Sequence, residues 1–332
     1  MPRLQPRQLV SAVTDAISDS GLVGQLVSSF GSNPRRFLVL GPSEGLRLSV
    51  YIWTLTPGGR AALPNEYRIQ MTGVRSPLES SADGPTVLMG YEPLSRLFAG
   101  FDLVRHRIFT PGSSSVQIDI GELHRAEADG LTFHRKSNDE IAVGVRPDMF
   151  VAYCLNAELL HRFGGDADVL RLLRRAPSAQ PPAPQDLDVL PTPRRRVVQE
   201  VNRLTRLAGF RQQVLFAYGN RCAVTRVQLR LVDAAHILPV GADGSADHVT
   251  NGIALSPTYH RAFDAGLIYL DGDRRMRLNE EQLQILQQMN LDGGVDRFRA
   301  PLGRQIFLPP DPNQRPSRDF IIRGNRFRHI LA

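Results

Sequence analysis

Six prolines crowd the stretch Arg175–Arg196, RAPSAQPPAPQDLDVLPTPRRR: Pro177, Pro181, Pro182, Pro184, Pro191 and Pro193. Proline fixes φ and has no backbone N–H to donate. A run of this kind therefore sustains neither a helix nor a sheet ladder, and it has little to bury. It reads as a semi-rigid linker. A chain of 332 residues is also too long for one small core. The expected partition is a first domain at 1–174, a linker at 175–195 and a second domain at 196–332. No internal repeat is visible.

Hydrophobic residues make up 42% and charged residues 22% of the chain, a globular balance that excludes a wholly disordered protein. Two cysteines, Cys154 and Cys222, make neither a disulfide framework nor a four-cysteine zinc site, so no structural zinc is expected. No apolar run approaches the roughly 20 residues of a membrane helix, and the first residues lack the apolar core of a signal peptide. The expectation is a soluble, reduced, cytoplasmic protein with no membrane partner.

The net charge of +7 is unevenly spread. Residues 194–332 hold 21 arginines against 13 acids, whereas residues 1–193 hold 19 basic and 20 acidic side chains. A preference for Arg over Lys (Lys136 is the one lysine) explains the type of cation, not its collection in one domain. A polyanion such as DNA is the partner such a surface suits.

The first domain opens with a helical pattern from about Pro6 to Phe30. Short apolar runs bounded by turn residues follow at 36–40, 46–54, 66–72, 86–91, 97–105, 115–120, 131–135 and 140–145, and these predict strands. Pro147 suits a first helical turn, with a helix over 148–162. Strands in succession between helices predict an α+β domain with a bent sheet or partial barrel. The second domain opens with apolar residues at helical spacing from about Arg196 to Tyr218, stopped by Gly219-Asn220.

Three segments then stand close together: Asp233-Ala-Ala-His236-Ile-Leu-Pro239, Asn251-Gly-Ile-Ala-Leu-Ser-Pro257 and Tyr259-His260-Arg261-Ala-Phe263-Asp264-Ala-Gly266. Jointly they resemble the HNH endonuclease family, whose catalytic unit is a ββα-metal fold. Tyr218-Gly-Asn-Arg-Cys222-Ala-Val-Thr225 is similar to the entry to that unit in McrA-like restriction enzymes. The resemblance covers roughly 211–271 and implies hydrolysis of phosphodiester bonds.

The residue types suit that chemistry. Attack by water needs a base near pH 7, and neutral imidazole serves best; His236 is the candidate. His260 is the candidate ligand for one divalent ion, expected as Mg²⁺ with Mn²⁺ or Ni²⁺ as alternatives. Asn251 is implied by the resemblance to position the loop and His236. Many HNH enzymes place a metal-binding Asp or His directly before the base, where this chain has Ala235. Asp264, one turn after His260, and Asp233, on the same strand side as Ala235, are the candidate replacements. Asp264 is favoured, although a carboxylate pinning the turn into Gly266 accounts for it as well. Arg221, Arg226 and Arg261 could grip phosphates, and Arg194, Arg195 and Arg196 could track the backbone. Without a zinc knuckle, Cys222 reads as a small buried residue. Val224, Leu229, Leu231, Ile253, Leu255, Phe263, Leu267 and Ile268 are expected to form the core.

In the first domain, Tyr51-Ile-Trp53-Thr-Leu-Thr with Glu66-Tyr67-Arg68-Ile-Gln70, and Gly90-Tyr91-Glu92-Pro93 with Phe98–Arg107, look similar to amino-terminal domains of modification-dependent restriction enzymes of the MspJI and AspBHI kind. That resemblance implies a modified-base reader with an aromatic clamp and an acceptor for the exocyclic amine. Tyr91, Trp53 and Phe101 are the candidate clamps and Asp102 the candidate acceptor, although aromatics at strand spacing are usually core. The functional expectation is a restriction-type DNA endonuclease that acts on foreign, modified DNA, with a homodimer suggested by double-strand cutting. The rival expectations are a DNA-binding regulator on an inactive HNH scaffold and an unspecific nuclease toxin.

Overall fold

The computed structural model describes residues 3–41, 45–110, 114–164, 166–176 and 182–330. The chain forms two compact units, Met1–Ala208 and Gly209–Ala332. Pro177 and Pro181 of the expected linker lie outside the described residues. The division falls inside a long helix, Thr192–Ala217, and not in the proline stretch. The reason is burial: Leu187, Leu190, Val197, Val198 and Val201 sit in the core of the first unit.

The first unit is α+β. Its strands are β1 (Val23–Leu26), β2 (Arg35–Leu40), β3 (Leu46–Thr54), β4 (Thr56–Pro57), β5 (Glu66–Gln70), β6 (Thr86–Glu92), β7 (Leu97–Phe101), β8 (Ser115–Asp119), β9 (Leu131–Arg135) and β10 (Ile141–Val145). Seven of them form one sheet in the order β1-β2-β3-β6-β7-β10-β9, and β4-β5-β8 form a small second sheet. The large sheet stays open, with β1 and β9 at its edges, so no barrel closes.

Both faces of the central strands β6, β7 and β10 are covered, which is why they read as apolar runs, whereas β1 and β2 leave alternate residues exposed. Alternate residues sort onto two cores. Leu48, Val50 and Ile52 of β3 join a core with the helices Pro6–Asp19, Phe150–Gly164 and Ala167–Arg175. Tyr51 and Leu55 face the other core, with Ile69, Val116 and Ile118 of the small sheet. The opening helix ends at Asp19, well short of Phe30. Gly21, at φ 82°, turns the chain back, and Val23–Leu26 pairs with β2 as an edge strand.

The second unit is built on two antiparallel strands, β11 (Asp233–His236) and β12 (Gly252–Leu255), followed by the helix Pro257–Asp264. A hairpin of β13 (Ile268–Leu270) and β14 (Met276–Leu278) and a closing helix, Arg318–Phe327, complete it. This is the ββα arrangement. Val224, Ile253, Leu255, Phe263 and Ile268 are buried as expected and Leu267 packs against them, but Leu229 and Leu231 are 79% and 54% exposed. Positive φ angles at Leu229 and Arg230 throw that turn outward, and Val232 supplies the core residue.

Gly100 sits mid-strand in β7, where a Cβ would stand 2.1 Å from the ring of the fully buried Tyr153. Gly100→Ala is therefore expected to lower stability by about 1–3 kcal/mol, read as a fall in denaturation midpoint. An unchanged midpoint would contradict this packing.

Candidate active site

β11 delivers His236 to its C-terminal end, opposite Gly252 of β12. That glycine has a packing reason. A Cβ there would lie 2.2 Å from Val214 and 3.1 Å from Phe210, both on the Thr192–Ala217 helix. Its absence lets the helix close on the hairpin, and the Phe210 ring stacks on His236 with centroids 3.8 Å apart and planes within 13°.

The other side of the imidazole is fixed by an acid. His236 Nε2 lies 3.0 Å from Asp247 Oδ1. An ionised carboxylate only accepts, so Nε2 carries the proton and Nδ1 keeps the lone pair that a base requires. Burial pulls the His236 pKa below the ordinary histidine value, while Asp247 and, more weakly, Asp264 pull upward. The neutral ring is thus favoured at neutral pH. The stability gained by burying it neutral is lost as pH falls through the lowered folded value.

Asn251 is fully buried just before β12. Its Oδ1 accepts from Leu238 N (2.8 Å), and its Nδ2 donates to Leu238 O (3.1 Å) and Ala246 O (3.0 Å). One side chain thereby clasps the loop that runs from His236 to Asp247 and back to β12.

His260 projects from the Pro257–Asp264 helix between two carboxylates. Asp233 Oδ2 is 3.6 Å from Nδ1, and Asp264 Oδ2 is 3.3 Å from Nε2. Burial works against a charged His260, yet Asp233 and Asp264 outweigh it and hold its pKa above the ordinary value. His260 also pulls the His236 pKa down, and Asp264 acts on both. The two rings therefore share one neighbourhood, which also holds Asp233.

Among the described residues, no three His, Cys, Asp or Glu side chains form a ready-made ion cage. The donor chemistry nonetheless fits a hard divalent ion. Such an ion keeps most of its waters and needs only one or two protein ligands beside a phosphate. A ligating histidine also commonly donates its second ring N–H to a carboxylate. His260 and its two acids offer both contacts.

Two residues here had no signal in sequence. Asp247 lies in a Gly/Asp-rich loop, beside the exposed His248, with no diagnostic spacing from His236. Arg328 follows the closing helix, and its side chain is 6% exposed. Its Nη1 donates to Ile237 O (2.6 Å) and Nη2 to His236 O (3.3 Å). Nη2 also stands 3.9 Å from Asp264 Oδ1, and the guanidinium lies 4.5 Å over the Phe263 ring. The C-terminal segment thus braces both β11 and the acid beside His260. Gly324 makes the approach feasible, since a Cβ there would meet Ile237 O at 2.4 Å.

The other candidates separate. Arg221 and Arg261 are exposed, and Arg226 lies 4.8 Å over the Phe307 ring. Arg194 pairs with Asp166 at 2.7 Å and Arg195 with Asp188 at 3.3 Å, so both are engaged inside the first unit; Arg196 is exposed. Cys222 is buried and accepts from Thr225 N at 3.5 Å.

The four candidate base-pocket residues are not brought together. Tyr91 packs on Phe98 in the helix-side core. Phe101 is buried in the opposite core, against which Trp53 packs. Strand parity is the cause: Trp53 pairs with Gly90, so Tyr91 points to the other face. Asp102 accepts from Val104 N and Arg105 N as the N-cap of a short helix, Leu103–His106.

Replacing Asp247 with Asn removes a charge that favours protonated His236. The His236 pKa is expected to fall further below the wild-type value in an NMR titration of the ring protons. A rise would contradict the assigned pairing.

Residues 222–271 match the model of the family described as HNH endonuclease, and residues 46–154 match that described as methylase-associated X1. No curated protein matches the chain. Among solved structures, the chain is similar to a modification-dependent TagI restriction endonuclease, with 13% identity, coverage of 85% of this chain and 81% of that one, and a TM-score of 0.29. The ββα geometry and the family match are in register: the C-terminal unit carries an HNH endonuclease domain at residues 222–271, and a methylase-associated X1 match at 46–154 lies ahead of it.

Proposed function

We propose that the chain is a metal-dependent DNA endonuclease of restriction type, in which the first unit selects the target and favours modified DNA. The observation that carries the catalytic reading is the division of labour between two imidazoles. His236 is kept neutral with Nδ1 available, while His260 is held between two carboxylates.

In this reading His236 Nδ1 takes the proton of a water as its oxygen attacks the phosphorus, and the 3′ oxygen leaves. Phe210 and Asp247 hold the ring in place, and Asp247 stabilises the imidazolium once it has formed. Asn251 keeps the loop carrying Asp247 at its distance from β11. His260 Nε2 and Asp264 would hold the divalent ion, with Nδ1–H donated to Asp233. Asp264 is the more open of the two acids, which supports it as the ligand. The ion, Mg²⁺ with Mn²⁺ or Ni²⁺ as alternatives, would neutralise charge on the phosphate and the leaving oxygen.

The arginine excess of the C-terminal part supports DNA as the substrate. A methylase-associated domain supports action where DNA is methylated. A single site cuts one strand, so two copies acting together would serve a double-strand break. The alternative of an inactive scaffold draws on Ala235, which offers no ligand where other HNH enzymes have one.

In plasmid cleavage with Mg²⁺, His236→Ala is expected to lower the rate by about 10²–10⁴-fold. Chelation should abolish cleavage, and added Mg²⁺ or Mn²⁺ should restore it. Parent-like cutting by His236→Ala would refute the catalytic assignment. Parallel digestion of unmodified, methylated and hydroxymethylated DNA should show faster cutting of a modified substrate; equal rates would remove the modified-target reading.

A further inference from the structure

We infer that Arg328 is a positioning residue of the nuclease site: its guanidinium, fixed on main-chain oxygens beside the base, holds the Asp264 carboxylate so that one oxygen stays turned to His260 Nε2. That role rests on the reading that His236 is the base and that His260 with Asp264 would hold the ion. Arg328 would set the spacing between those two tasks while touching neither DNA nor the ion.

The two ends of the Asp264 carboxylate face different partners. Oδ1 lies 3.9 Å from Arg328 Nη2, and Oδ2 lies 3.3 Å from His260 Nε2. A charge placed on one oxygen of a carboxylate fixes where the other points. Asp264 needs such help. It ends the Pro257–Asp264 helix with its side chain 60% exposed, so burial does not hold it to one orientation. Arg328 is the rigid member of the pair, with its side chain 6% exposed.

A separation of 3.9 Å is an ion pair and not a hydrogen bond. Between two exposed side chains it would count for little. Here one member is buried and short of partners: Arg328 Nε has no acceptor, and burial works against the charge while Asp264 offsets part of that cost. The main-chain contacts then fix where the charge sits. Nη1 donates to Ile237 O and Nη2 to His236 O, and the Phe263 ring lies 4.5 Å beneath. A planar guanidinium can bond two carbonyls and still present charge to an acid. An ammonium, a point charge on a flexible stem, cannot hold all three in one geometry.

This task is separable from folding. The closing helix is anchored without Arg328, since Ile321 sits in the core and Asn325 donates to Leu270 O at 2.9 Å. It is also separable from DNA binding. A guanidinium this buried does not reach a phosphate, so its influence passes through Asp264 and the His236 main chain.

The test uses the full chain. Mn²⁺ is titrated calorimetrically, without DNA, into the parent, Arg328→Met, Arg328→Lys, Asp264→Asn and the variant combining Arg328→Met with Asp264→Asn. Plasmid cleavage with Mg²⁺ gives kcat and the KM for DNA alongside. Arg328→Met is expected to weaken Mn²⁺ binding by about 10–100-fold and to lower kcat, with the KM for DNA near the parent value. Arg328→Lys keeps the charge but not the fork, and should recover part of the loss. With Asp264→Asn in place, Arg328→Met should change Mn²⁺ affinity little, a result that general loosening of the fold would not give. If Arg328→Met fails to fold, Arg328→Lys decides: Mn²⁺ affinity several-fold below the parent supports the role, and parent-like affinity overturns it. Parent-like Mn²⁺ affinity in Arg328→Met, an equal loss in the Asp264→Asn background, or a raised KM with ion binding intact would overturn the role of Arg328 and leave the two-imidazole reading standing. A parent chain that neither binds Mn²⁺ nor cuts DNA would overturn both.

Discussion

One contact organises the nuclease unit: the face-to-face stack of His236 on Phe210, closed on its far edge by Asp247. It demands three things at once. β12 must carry no side chain opposite His236, which Gly252 provides. The intervening loop must return Asp247 to the ring, which Asn251 enforces from inside. The helix carrying Phe210 must lie close, which the same glycine permits. Asn251 and Gly252 thus owe their adjacency to packing on one side of the strand and hydrogen bonding on the other.

The second histidine sits in a different electrostatic setting. His236 has one carboxylate partner and an aromatic cover, whereas His260 lies between two carboxylates. Identical side chains are therefore pushed to opposite protonation preferences. Arg328 adds a counter-charge from the far end of the chain, beyond the segment matched by the HNH model. A buried arginine bonded to the main-chain oxygens of His236 and Ile237 also ties the closing helix to the site.

Legibility in the sequence followed the range of the interactions. β3 and β9 were readable to the residue, because each is a short run rich in strand-forming residues bounded by turn residues. His236, Asn251 and His260 stand close in the sequence because a local ββα unit brings two strand ends and one helix together within a short window. β1 was not: Val23–Leu26 continues an apolar helical pattern, and only the left-handed turn at Gly21 breaks it. Proline content does not report packing: Leu187 and Leu190 are buried, and short helical structure persists at Pro184–Leu187. Asp247 and Arg328 depend on loop geometry and on a contact 92 residues away. The aromatics Tyr91 and Phe101 are core residues that strand parity sends to opposite faces, which the one-dimensional pattern conceals.

Separate tasks for the two imidazoles are tested most directly by calorimetric titration of Mn²⁺ into His236→Ala and His260→Ala. The His260 variant should lose most of its affinity for Mn²⁺, whereas the His236 variant should keep binding near the parent level although its cleavage is gone. Equal loss of ion binding in both, or parent-like affinity in the His260 variant, would contradict the assignment.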